Sequence, residues 1–203
     1  MSRAAKVQKL VIASGNAGKL REIRQLLEPL GLEVLPQSTF NITEVEEPYC
    51  TFLENALAKA RHASKLSGLP ALADDSGICV NALNGGPGVY SARYAGESKS
   101  DEKNNQKLID VLRNQLDRKA HYYCIIVMVR HADDPQPIIA DGAWHGEIIL
   151  EPRGEGGFGY DPYFFLPGLG KTAAEIPMEK KNQISHRGKA LARLAESIRE
   201  EIF

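Results

Sequence analysis

The sequence predicts an α/β protein on a mixed β-sheet. Two observations carry that prediction. Short apolar runs alternate with amphipathic helical stretches in the first part of the chain, and two long strand-like runs follow one another later. Strand–helix alternation favours parallel neighbours, whereas consecutive strands with a short connection favour antiparallel ones. No linker, repeat or low-complexity tract interrupts the 203 residues, so 1–203 reads as a single domain. A chain of this length can bury roughly 70% of its unfolded surface, enough to fold without a metal or disulfide staple.

The elements follow in order. "KLVIA" (9–13) is a buried strand, and "GKLREIRQLLEPLG" then spaces Leu20, Ile23, Leu26, Leu27 and Leu30 as a helix face, stopped by Gly31. "EVLP" is a second strand, and residues 36–50 show no period and read as a loop. Thr51 with Glu54 three residues on forms a capping box for a helix whose face is Phe52, Ala56, Ala60 and Ala63, ending near Gly68 and Pro70. Next come two short strands around Asp74–Gly77 and a glycine-rich loop. A helix over 101–117 follows, through Leu108, Ile109, Val111, Leu112 and Leu116. "AHYYCIIVMVRH" and "PIIADGAWHGEIIL" form an antiparallel pair; "EPRGEGGFGYDPYFFLPG" is a loop ending in an aromatic strand, and a last helix covers 185–201.

Composition excludes several classes of function. A net charge of −1 and no basic run argue against a nucleic-acid or membrane-surface binder. No stretch approaches the roughly 20 apolar residues of a membrane span, and the N-terminal apolar run is too short for a signal peptide. Cys50, Cys79 and Cys124 show neither C-x-x-C nor zinc spacing, which fits reduced thiols and a cytoplasmic protein.

Four stretches carry candidate chemistry. "SGNAGK" (Ser14, Gly15, Asn16, Ala17, Gly18, Lys19) lies where a strand becomes a helix; it is neither a P-loop nor a Rossmann glycine motif. Free N–H groups at a helix start plus a lysine suit a phosphate, although a purely steric turn would use the same glycines. "LADDSG" places two carboxylates after an apolar run, where burial would oblige each to be paired, hydrogen-bonded or metal-bound. Strand alternation sends Asp74 and Asp75 in different directions, so one could meet a metal or water while the other braces the turn. "GEGGFGYDP" could stack a planar base or be an ordinary glycine loop. In "KKNQISHRGKAL", Ser185 can cap the last helix, while Lys181, His186 and Arg187 put positive charge where the helix dipole opposes it. Glu44, Glu46 and Glu47 read as solvated loop carboxylates, and Asn55 with Lys59 as an exposed polar stripe.

Together "SGNAGK", "FLENALAKA", "LADDSG", "GGPGVYSARYAG", "GGFGYDP" and "ISHRGKAL" resemble the inosine triphosphate pyrophosphatase family, house-cleaning enzymes for non-standard purine nucleotides. Each motif is weak alone; all six in this order, spanning residues 9–194, are specific. The resemblance implies an elongated mixed sheet flanked by helices, with two lobes and a central substrate cleft. It also implies a homodimer, a magnesium requirement, and hydrolysis of ITP, dITP or XTP to the monophosphate and pyrophosphate. Carried onto this chain, Asp75 would be general base and metal ligand, with Glu46 the second metal ligand. Ser14 to Lys19, Lys59 and Ser76 would hold the phosphates; Phe158, Gly159, Tyr160, Asp161, Lys181, His186 and Arg187 would hold base and sugar. Two rivals are a Maf-like nucleotide pyrophosphatase, against which "SHRG" and "GGFGYDP" speak, and a nucleotide sensor, which would need no water-activating carboxylate.

Overall fold

A computed structural model of the chain describes residues 8–43, 45–97 and 100–202. β1 (Gln8–Ile12) leads through α1 (Ala17–Leu27) to β2 (Leu32–Pro36), and α2 (Phe52–Ser67) precedes β3 (Ala71–Val80). After α3 (Asp101–Leu112) come the long strands β4 (Lys119–Val129) and β5 (Ile138–Ile148), then the short β6 (Phe164–Leu166) and β7 (Lys171–Thr172). Two helices close the chain, α4 (Met178–Ile184) and α5 (His186–Ile202). The strands form one seven-stranded sheet, ordered β2-β1-β3-β4-β5-β6-β7. β1 is parallel to β2 and β3, whereas β6 is antiparallel to β5 and β7, so the sheet is mixed, as expected. Among the described residues no helix is long and apolar enough to cross a membrane.

The chain gathers into two compact units. The first takes in the residues up to Asp75, Ile125–Asp141 and those from Ala190 onward; the second is Ser76–Cys124 with Gly142–Lys189. In the first, β1 is wholly buried at Leu10, Val11 and Ile12, and α2 turns an alanine stripe (Ala56, Ala60, Ala63) inward. Small side chains on that stripe bring the helix backbone close to its neighbours, which shortens the reach of the polar residues beside it. Thr51 caps the helix as predicted, accepting the Glu54 N–H at 3.2 Å, but the Glu54 carboxylate takes the Thr51 hydroxyl at 2.6 Å where a capping box would take the Thr51 backbone N–H. The second unit packs Leu108, Ile109 and Leu112 of α3 with Ile78, Tyr122, Trp144 and Phe164.

Three elements depart from the expectation. Residues 71–80 are one continuous strand, not two around a turn, and Asp74 and Asp75 lie within it. Burial alternates on neither face, which is how a central strand covered on both sides behaves. The helix predicted to run to Asp117 ends at Leu112, where the chain turns and the Gln115 N–H donates to the Leu112 carbonyl at 3.0 Å; Leu116 is fully exposed, and the Asp117 carboxylate accepts the Lys119 N–H at the start of β4. The terminal helix is preceded by a separate α4, the two divided at Ser185, whose backbone is extended and whose hydroxyl accepts the Gly188 N–H at 3.2 Å. Gly188 is needed there, since a Cβ would stand 1.9 Å from the Asn182 carbonyl oxygen.

Candidate active site

The β1–α1 turn is built by Asn16. Its side-chain oxygen accepts the N–H groups of Gly18 (2.9 Å) and Lys19 (3.1 Å), and its own N–H donates to the Ser14 hydroxyl at 3.2 Å. Two of the N–H groups that the sequence offers to a phosphate are therefore occupied by this cap. Gly15 and Asn16 are exposed and Ser14 is half-buried; Ala17 opens the helix. The turn also aims Lys19, whose ammonium lies 2.8 Å from the Asp74 carboxylate.

The two aspartates of β3 are both buried, and the strand sends them to different helices. Asp74 meets Lys19 of α1. Asp75 meets two residues of α2 at longer range: Lys59 at 3.4 Å and the Asn55 amide at 3.4 Å. Asn55 and Lys59 are not the exposed stripe expected of them: Asn55 is only 1% accessible, and the Lys59 side chain is largely covered. Asn55 also accepts the Tyr49 N–H and donates to the Tyr49 carbonyl, both at 3.2 Å, which ties down the preceding loop. That tether brings Glu47 to 3.0 Å from Lys59. Glu46, the metal ligand implied by the resemblance, is exposed; Glu44 lies outside the described residues.

These charges act on one another. Burial pushes the Asp75 carboxyl up from its ordinary pKa; Lys59 pulls it down, and the nearby Glu47 and Asp74 push it up further, leaving it raised. Burial works against the Lys59 ammonium, yet Asp75, Asp74 and Glu47 outweigh it and raise its pKa.

In the second unit, Asp161 is the centre of a buried network. It accepts the Phe158 N–H at 2.9 Å and the Tyr122 hydroxyl at 3.3 Å, and it forms an ion pair with Lys181. Burial and Asp161 raise the Tyr122 pKa, so its phenol remains a neutral donor. The His186 ring stacks on Tyr122, 4.8 Å between centroids and 10° from parallel, and the neighbouring Arg187 donates to the Ser76 hydroxyl at 3.3 Å. Lys181 belongs to α4 and is neutralised by Asp161, so only His186 and Arg187 stand at the start of α5. The Tyr160 hydroxyl is spent on the Ser91 carbonyl at 2.7 Å. The Phe158 ring, by contrast, is 58% exposed, with the Lys181 ammonium 4.9 Å from its centre.

Comparison with known proteins follows the same lines. The model of the Ham1 family matches residues 10–197. The chain belongs to the Ham1 family. Among its relatives, the dITP/XTP pyrophosphatase of Nitrosomonas europaea is 66% identical over 194 residues, 96% of each chain. That of Ralstonia nicotianae is 63% identical, covering 95% of this chain and 98% of its own. The structure of a HAM1 protein from Coxiella burnetii superposes with a TM-score of 0.93 at 47% identity, covering 95% of this chain and 99% of the other.

Asp75 and Glu47, which both contact the Lys59 ammonium, could hold a divalent cation together. No group of three or more His, Cys, Asp or Glu ligands is gathered among the described residues. Magnesium does not need one, because it takes one or two carboxylates and fills its remaining positions with water and phosphate oxygens. The raised Asp75 pKa shows a buried carboxylate under like-charge pressure from Glu47 and Asp74, a strain that a cation would relieve. The sequence reads Glu47 as a solvated loop carboxylate because nothing local separates it from Glu46; its ion pair with Lys59 is what the structure adds. The signal available was indirect, in that Asn55 and Lys59 share one helix face.

The same strain has a consequence for stability. A carboxyl whose pKa is raised by folding stays protonated where the unfolded chain has already released its proton, so stability falls as pH rises above the ordinary value of 3.8. Asp75→Asn removes that cost and leaves Glu47 to pair Lys59. In metal-free buffer it should unfold at higher denaturant concentration than the wild type at pH 7, with the gain shrinking towards pH 4. A lower midpoint for the variant at pH 7 would show that Asp75 is net stabilising instead.

Proposed function

We propose that this protein hydrolyses non-standard purine nucleoside triphosphates, dITP, ITP and XTP, to the monophosphate and pyrophosphate, removing them from the nucleotide pool. The names of its relatives support the substrate class. The observation that carries the chemistry is Asp75: a buried carboxylate, its pKa raised, held by Lys59 and Asn55 and flanked by Glu47. A carboxylate held in this position can serve as the proton acceptor for an attacking water. Asp75 takes a proton from a water that attacks the α-phosphorus; the bond from phosphorus to the bridging oxygen breaks, and pyrophosphate leaves.

Lys59 and Lys19 bring positive charge for the phosphates, and we assign Ser14 to Gly18 and Ser76 to phosphate binding as well. Of the two adjacent glutamates, we assign the second metal-ligand role to Glu47 with Asp75, since Glu47 is the one drawn onto Lys59. Magnesium bound there would supply charge neutralisation for the triphosphate. Phe158 offers a flat apolar face to the purine, Gly159, Tyr160, Asp161 and Lys181 shape that loop, and Arg187 and His186 supply hydrogen-bond donors for the six-carbonyl of inosine or xanthine. Three free thiols fit a cytoplasmic enzyme. We take the active form to be a homodimer, and light scattering should give about twice the chain mass of 22.3 kDa; a monomer at micromolar concentration would remove that part of the reading.

In ¹⁸O-water with magnesium, the label should enter the monophosphate and leave pyrophosphate unlabelled. Asp75→Asn should cut kcat by about 10²- to 10⁴-fold, the usual worth of a general base. Asp74→Asn, which touches Lys19 rather than Lys59, should lose less. Release of orthophosphate, or equal mild losses in both variants, would sink the mechanism.

Adenine presents an amino donor where inosine presents an acceptor, so donors built for one are left unpaired by the other. Such a site can favour its own pattern by up to about 10⁴ to 10⁵ in kcat/KM. Arg187→Ala should shrink the ITP-to-ATP ratio, whereas Phe158→Ala should weaken all purines alike. An unchanged ratio in Arg187→Ala would assign base reading to another group.

A further inference from the structure

Helix α3 reaches the glycine-rich loop through two side chains one helical turn apart. The Asp101 carboxylate accepts the Gly159 N–H at 2.7 Å, and the Asn105 amide donates to the Gly159 carbonyl at 2.9 Å. Asp101 is the first residue of the helix and Asn105 lies four further on, so both sit on one face. They hold both polar backbone groups of a single residue, one whose φ of +61° a side chain would strain.

The backbone on the other side of Phe158 is fixed as well. Its N–H is held by the Asp161 carboxylate, and its carbonyl accepts the Asp161 N–H at 3.3 Å. Gly157 permits this, because a Cβ there would stand 2.1 Å from the Asp161 carboxylate. The Phe158 ring is exposed and takes little direction from packing, so the backbone hydrogen bonds aim it.

We infer that Asp101 and Asn105 are positioning residues that pre-organise Phe158 for the base; the inference rests on the function proposed above. Neither residue touches the base. Their bonds to Gly159 restrict the ring before substrate arrives, so the ordering cost is not met at binding. An effect of this kind falls equally on bound substrate and transition state, so its loss raises KM with little change in kcat.

The test is a double-mutant cycle read by pyrophosphate release from ITP. Asp101→Ala should raise KM about tenfold, the worth of one hydrogen bond to a charged group, with kcat nearly unchanged. Asn105→Ala should act in the same direction, and Asp101→Asn, which keeps an acceptor oxygen, should recover most of the loss. In a Phe158→Ala background, Asp101→Ala should change KM little, because the ring it positions is gone. An undiminished effect in that background, or an unchanged KM in Asp101→Ala, would overturn the clamp while leaving the function intact. A wild-type chain that releases no pyrophosphate would overturn the function itself, and the clamp with it.

Discussion

Two adjacent carboxylates buried in a strand covered on both faces are the hardest demand this chain makes of its fold. An ion taken out of water costs several kcal/mol unless it is paired and hydrogen-bonded. β3 meets the demand by alternation, sending Asp74 to α1 and Asp75 to α2. Lys19 reaches Asp74 only if α1 begins close to the end of β1, and the Asn16 cap makes that tight start. Lys59 reaches Asp75 only if α2 lies close, and its alanine stripe permits the approach. The loop before α2 is drawn into the same arrangement: Asn55, itself bonded to Asp75, holds Tyr49 and thereby Glu47. The loop, the cap and the alanine face therefore answer one electrostatic requirement.

What could be read in advance was local in origin. Thr51 and Gly68 mark the ends of α2, and Gly31 closes the short 3-10 turn (Glu28–Leu30) that follows α1, because capping and left-handed backbone are decided within one turn of chain. The apolar runs of β1, β4 and β5, and the mixed character of the sheet, were legible for similar reasons. The misses share the opposite origin. Asp-Ser-Gly reads as a turn until lysines from two other helices neutralise the aspartates, and those partners are distant in sequence. Asn55 is polar and was expected outside; its burial follows from its bonds to Tyr49 and Asp75, which no periodicity contains. α4, seven residues with little apolar pattern, has no signal of its own and is recognised by its pairing of Lys181 with Asp161.

The second unit solves a related problem with Asp161. That carboxylate is 2% accessible and is satisfied by an ammonium, a backbone N–H and a phenol. Tyr160 and Asp161 are occupied inside the protein, while Phe158 shows most of its ring to solvent. Residues that share one motif thus divide into those that build the loop and the one that presents a surface. Lys181 spans both roles, pairing Asp161 while lying over the Phe158 ring. A cation there makes the ring's face less negative and more receptive to an electron-rich base.

The contrast between the neighbouring aspartates points to their division of labour. Asp74 has an ammonium at 2.8 Å. Asp75 has its lysine and amide at 3.4 Å, shares that lysine with Glu47, and feels both neighbouring carboxylates as like charges. If stability alone were served, the same lysine at closer range with Glu47 turned away would have done better. In the function proposed above, the carboxylate held loosely, under burial and repulsion, is the one left to accept a proton or a cation, whereas its closely paired neighbour braces the strand. Two chemically identical side chains one residue apart thereby acquire different surroundings, set by which helix each one faces.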